Sequence, residues 1–74
     1  MATYFCAQIS QEHSTDVENM ALYLGVQKKN ILFNTIGCPL GSIGVYIKFE
    51  DESTFSLFSN EIKQKISHSI LEKW

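Results

Sequence analysis

The sequence contains no arginine: its six basic residues are all Lys, set against eight Asp or Glu. Arg is the side chain that reads phosphate and guanine with two parallel bonds, and it stacks on bases better than Lys does. An acidic chain without it argues against strong nucleic-acid binding. The remaining route to a nucleic acid is a spatial cluster of Lys28, Lys29, Lys48, Lys63 and Lys65. Cysteine is also scarce. Cys6 and Cys38 form no CxxC pair and are expected to be free thiols. Together with His13 and His68 they match no zinc-ligand spacing, so no metal and no cofactor are expected. One Pro, four Gly and the absence of any low-complexity tract exclude a disordered composition. No apolar run approaches the roughly 20 residues that span a bilayer. The opening Met1-Ala2-Thr3-Tyr4-Phe5 lacks the basic region of a signal peptide. A cytoplasmic protein that does not engage a membrane is the expectation.

What is present is apolar. Of 74 residues, 45% are hydrophobic. That supports one small domain over residues 1–74, although a chain this short buries only about 60% of its unfolded surface. In the first run, Phe5, Ala7 and Ile9 alternate with Tyr4, Cys6 and Gln8, the period of a strand. Thr15-Asp16-Val17-Glu18 reads as a capping box. Val17, Met20, Ala21 and Leu24 then share one helical face, and Gly25 supplies the stop. A helix over 16–24 follows. Ile31-Leu32-Phe33 is short, apolar and strand-like. Cys38-Pro39-Leu40-Gly41 fits a type I turn, the loop of a long hairpin. Ile43, Val45, Ile47 and Phe49 alternate with Gly44, Tyr46, Lys48 and Glu50, a second clear strand.

The segment after Glu50 admits two assignments. Thr54-Phe55-Ser56 is β-branched, aromatic and poor in helix formers, which favours a further strand to about Phe58. Phe55, Phe58, Ile62 and Ile66 also fit a helical stripe, with the helix starting near Ser53. The strand is preferred, with Glu50-Asp51-Glu52 as a solvated hairpin turn and Ser59 capping a last helix. That helix carries Ile62, Ile66, Ile70 and Trp74. The expected class is α+β: two layers, a mainly antiparallel sheet with two helices on one face, in the order β-α-β-β-β-α.

Such a sheet has a second face, and alternation assigns it Tyr4, Cys6, Gln8, Tyr46, Lys48 and Glu50. Tyr gives rigid, amphipathic contact area at protein interfaces. Aromatics on open sheets also stack the bases of single-stranded RNA. Glu50-Asp51-Glu52 offers a charged contact for a basic partner. The loop Gly37 to Gly44 lacks the Gly-Lys-Ser/Thr of a phosphate cradle, and a strand follows it instead of a helix. No base adjoins Cys38 in sequence to make it a nucleophile.

Without a catalytic constellation, the expected function is a non-catalytic interaction module. It binds and inhibits a larger protein partner, in the manner of small proteins encoded by phages and mobile elements. The expected contact residues are Tyr4, Gln8, Tyr46, Lys48, Glu50, Asp51 and Glu52. A homodimer through an open sheet edge is a version of the same idea. The alternatives are a single-strand nucleic-acid binder using Tyr4 and Tyr46, and a small thiol-dependent enzyme using Cys38.

Overall fold

The computed structural model describes the backbone of residues 3–66 and 70–73 and the side chains of residues 3–64. Six main elements follow in order: β1 (Thr3–Ser10), α1 (Ser14–Tyr23), β2 (Ile31–Asn34), β3 (Ser42–Phe49), α2 (Glu52–Ile66) and β4 (Ile70–Lys73). Single 3-10 turns, Gln11–His13 and Lys28–Asn30, precede α1 and β2. The four strands form one antiparallel sheet in the order β2-β3-β1-β4. β1 and β2 run the same way with β3 between them, and β3 and β4 run the same way with β1 between them. This is the split β-α-β arrangement repeated twice, the ferredoxin-like topology.

The α+β class holds, and the element order is corrected from β-α-β-β-β-α to β-α-β-β-α-β. Residues 54–58 lie inside α2 and not in a strand. The acidic turn is accordingly not a hairpin turn: Asp51 caps the helix. Its Oδ1 accepts the Thr54 amide at 2.7 Å and the Ser53 hydroxyl at 2.9 Å. Glu52 in the first turn suits the positive end of the helix dipole. Local strand propensity loses to packing here. As a helix, α2 directs Phe55, Phe58 and Ile62 onto the sheet together, whereas strand alternation would put Phe55 and Phe58 on opposite faces. Phe58 sits 5.1 Å from both the Phe5 and Phe49 rings, and Phe55 lies 5.5 Å from Phe49. Ser59, expected as a cap, is interior to α2. Ile70, expected on the last helix, belongs to β4. Trp74 and His68 lie outside the described residues.

The core is the layer between the helices and one sheet face. Phe5, Ala7 and Ile9 of β1 and Val45, Ile47 and Phe49 of β3 meet Val17, Ala21, Phe58 and Ile62, all buried. The strand register brings Phe5 opposite Ile47 and Ala7 opposite Val45, so each apolar set lands on the same face. Helix α1 begins at Ser14, one residue ahead of the expected Thr15 cap. His13 takes the cap position without a side-chain bond, so the Thr15–Glu18 box does not form. Its end behaves as the sequence implies. Gly25 adopts φ +94°. Its amide donates to the Leu22 carbonyl, and the Val26 amide donates to that of Ala21. These two bonds are those of a Schellman motif, with Val26 tucked into the core beyond it.

Candidate functional site: the open sheet face

The helices cover the Phe5 face, so the other face of the sheet is where β1, β2 and β3 present their alternate residues. Strand register fixes its layout. Leu32, Tyr46 and Cys6 form one row across β2, β3 and β1. Tyr4 lies opposite Lys48 in the adjacent row. Asn34, Gly44 and Gln8 form the row on the other side, with Glu72 of β4 paired to Gln8. Tyr4 is 60% and Leu32 61% exposed; Tyr46 is exposed as well, while Cys6 and Lys48 are half-buried. Tyr4 and Tyr46 are diagonal neighbours on adjacent strands, a separation of about 7–8 Å by sheet geometry. Tyr4, Leu32 and Tyr46, the last 37% exposed, therefore share one patch of a sheet surface that no described helix covers.

The expected contact residues divide on inspection. Tyr4, Tyr46 and Lys48 are brought together on this face. Gln8 is withdrawn from it: the residue is 8% exposed, and its Nε2 donates to Ser42 Oγ at 3.0 Å. Ser42 Oγ in turn donates to the Pro39 carbonyl at 2.7 Å. This chain of two bonds ties β1 to the β2–β3 loop, so Gln8 serves the fold. Glu50, Asp51 and Glu52 sit apart, at the junction of β3 and α2. Glu50 and Glu52 are exposed. Asp51 is committed to capping, and the bonds from Thr54 and Ser53 hold its carboxyl below the ordinary aspartate value.

Two contributors escaped sequence reasoning. Leu32 joins the open face because β2 is in register with β3, which an Ile-Leu-Phe run does not reveal. The β2–β3 loop carries two bare aliphatics, Ile36 and Leu40, the latter fully exposed. The loop is held by two turns. The Cys38 amide donates to Thr35 O, and the Ser42 amide donates to Pro39 O, with Gly37 and Gly41 at φ +80° and +87°. Positive φ at the third residue is the mark of a type II turn. The expected type I turn over Cys38–Gly41 is thereby replaced by turns over Thr35–Cys38 and Pro39–Ser42. Pro39 opens the second of these.

Both cysteines are free. The Cys38 thiol lies 3.7 Å from the Asn34 carbonyl. His13 is flanked by the carboxylates of Glu12 at 3.3 Å and Asp16 at 3.5 Å. A cleft of about 390 Å³ lies between the α1–β2 connection and the start of α2, with Lys29, Lys48, Glu50 and Asp51 among its lining residues. Its mixed charge selects no sign of ligand. Among the described residues no helix is long and apolar enough to cross a membrane. No family model, curated protein or solved structure matches the chain.

Proposed function

We propose that the chain is a non-catalytic interaction module that docks a larger protein in the cytoplasm through the open face of its sheet and inhibits that protein by occupancy. The observation that carries this reading is the cluster of Tyr4, Leu32 and Tyr46, exposed and contiguous on a rigid, hydrogen-bonded platform. Rigid aromatics lose little conformational entropy when an interface orders them, and exposed apolar clusters mark interaction sites more often than isolated apolar residues do. Lys48 at the margin supplies a rim charge. A pull-down from lysate of the encoding cell, with and without nuclease, tests it. A stoichiometric protein that survives nuclease and is lost from a Tyr4→Ala/Tyr46→Ala variant supports the reading. Retention of that protein by the variant refutes the sheet face as the contact.

A second reading is favoured by one specific observation. Single-strand RNA modules stack bases on aromatics of the two central strands of a four-stranded sheet, and Tyr4 and Tyr46 occupy the two central strands here. Against it, β3 departs from the basic and aromatic pattern such a strand carries. Ser42 and Gly44 stand where a basic residue and a second aromatic belong. Binding of a fluorescent single-stranded oligonucleotide that falls steeply with salt would support this reading. No binding at low salt would remove it.

A further inference from the structure

Strand β2 ends the sheet, so one side of its backbone has no strand beside it. Hydrogen-bond parity fixes which groups that side presents. The Gln11 amide donates to the Gly41 carbonyl at 2.9 Å, which extends the β1–β3 register. In an antiparallel pair, bonded positions recur at every second residue. Ile43, Val45 and Ile47 of β3 therefore bond to β1, and Gly44 and Tyr46 bond to β2. Their partners Asn34 and Leu32 turn their backbone groups toward β3. Ile31 and Phe33 turn theirs away from the sheet, and Thr35 is next in that alternation. Some of these outward groups are satisfied locally: the Ile31 amide donates to the Lys28 carbonyl, and the Thr35 carbonyl accepts the Cys38 amide. What the edge still offers is the Phe33 N–H and C=O, the Ile31 C=O and the Thr35 N–H. Ile31-Leu32-Phe33-Asn34 contains no Pro, no charge and no bulge, the devices that usually block an edge.

That set is complementary to itself. We propose that β2 pairs antiparallel with β2 of a second copy of the chain, about a two-fold axis through Phe33. Phe33 faces its counterpart there, and the two exchange both bonds. Thr35 faces Ile31 of the other copy, and each Thr35 N–H donates to the Ile31 C=O opposite. The groups this pairing leaves unbonded, Ile31 N–H and Thr35 C=O, are those already held by Lys28 and Cys38. A register with Leu32 at the axis sets Phe33 against Ile31 instead, and the Phe33 carbonyl then faces an amide committed to Lys28. The side chains agree with the Phe33 register. Phe33 is half-buried at the margin of the core and meets its counterpart on the helix face. Leu32, 61% exposed, stands opposite Asn34 on the open face and diagonal to the other Leu32, within about 7–8 Å. Antiparallel pairing also sends the Lys28 and Lys29 of each copy to opposite ends of the ladder. Parity keeps both helical layers on one side, so the sheet and its open face run continuously through a two-fold dimer.

The test uses the full chain. Sedimentation equilibrium reads mass against concentration, and amide hydrogen exchange reads the edge residue by residue. The expected result is a mass that rises from monomer to dimer by about 1 mM protein, with the Phe33 amide gaining protection over the same range. The Leu32 and Asn34 amides, bonded to β3, are protected at every concentration. N-methylation of Phe33 in a synthetic chain removes the outward donor without touching a bond of the fold. It weakens association at least about tenfold, a difference of roughly 1.4 kcal/mol. Leu32→Lys, at an exposed position, weakens it by at least a similar factor by setting like charges diagonally across the axis. Far-ultraviolet circular dichroism of both variants stays that of the wild type. Tyr4→Ala leaves association unchanged, so failure here is separable from failure of the sheet-face reading. A monomer at all these concentrations with a freely exchanging Phe33 amide, a dimer indifferent to the N-methyl group, or protection of Phe33 only in a complex with a different protein would each overturn the proposal.

Discussion

Phe58→Ala tests the placement of α2 more sharply than any other substitution. Phe58 is fully buried and wedges between the Phe5 and Phe49 rings, each 5.1 Å away. Removing a buried Phe costs about 3–5 kcal/mol, from lost transfer energy and the cavity left behind. Two edge or tilted ring contacts, each worth about 0.5–1.5 kcal/mol, place it in the upper part of that range. A 74-residue domain has a total stability of roughly 4–11 kcal/mol at the usual value per residue. The variant should therefore lose a third or more of its stability. Its neighbour supplies the control. Leu57 faces water, so Leu57→Ser should change stability by less than about 0.5 kcal/mol. Urea unfolding followed by far-ultraviolet circular dichroism measures both, with an unchanged m-value as the check on two-state behaviour. In a strand over 54–58, Leu57 would point inward with Phe55, and Phe58 would face away. A large cost for Leu57→Ser with a small one for Phe58→Ala would therefore refute the helix.

Ser42→Ala should cost about 1–3 kcal/mol, since it leaves the buried Gln8 amide without its acceptor; a neutral result in urea melts would show that water replaces the bond. Gly25→Ala should cost roughly 1–2 kcal/mol from left-handed backbone strain alone, because at φ +94° an added Cβ meets nothing within 4 Å; thermal melts read it, and a stabilised variant would contradict the Schellman end. Asp51→Ala should destabilise α2. The native Asp51 carboxyl is held below its unfolded value of 3.8, so its contribution is complete above that value and is lost as pH falls through the lower folded one. The stability gap between wild type and Asp51→Ala should accordingly shrink on acidification, and a gap that widens below pH 4 or so would reverse the sign.

The sheet core was legible because period-two alternation in β1 and β3 is unbroken, and parity alone puts Phe5, Ala7, Ile9, Val45, Ile47 and Phe49 on one face. Gly25 was legible for a different reason, since a left-handed helix end favours glycine. The start of α2 was misread because Thr54-Phe55-Ser56 has strand propensity, while the deciding contacts come from Phe5 and Phe49, far away in sequence. Asp51 reads in the sequence as part of a hairpin turn, and its capping role needs the Ser53 and Thr54 bonds that only the folded helix start supplies. On the open face, Tyr4 and Tyr46 follow from alternation within their own strands. Leu32 needs the β2–β3 register, and the burial of Gln8 needs the Ser42 hydroxyl that the loop delivers. Neither is local information.

Site-specific photo-crosslinking tests the central claim, the open sheet face as a protein contact, most directly. A photoreactive phenylalanine replaces Tyr46 in one variant and exposed Thr15, on α1, in another, and both are irradiated in the encoding cell. The account predicts one discrete, nuclease-resistant protein adduct from position 46 that is missing from position 15. An adduct digested by nuclease, or the absence of any adduct from position 46 at full occupancy, would contradict it.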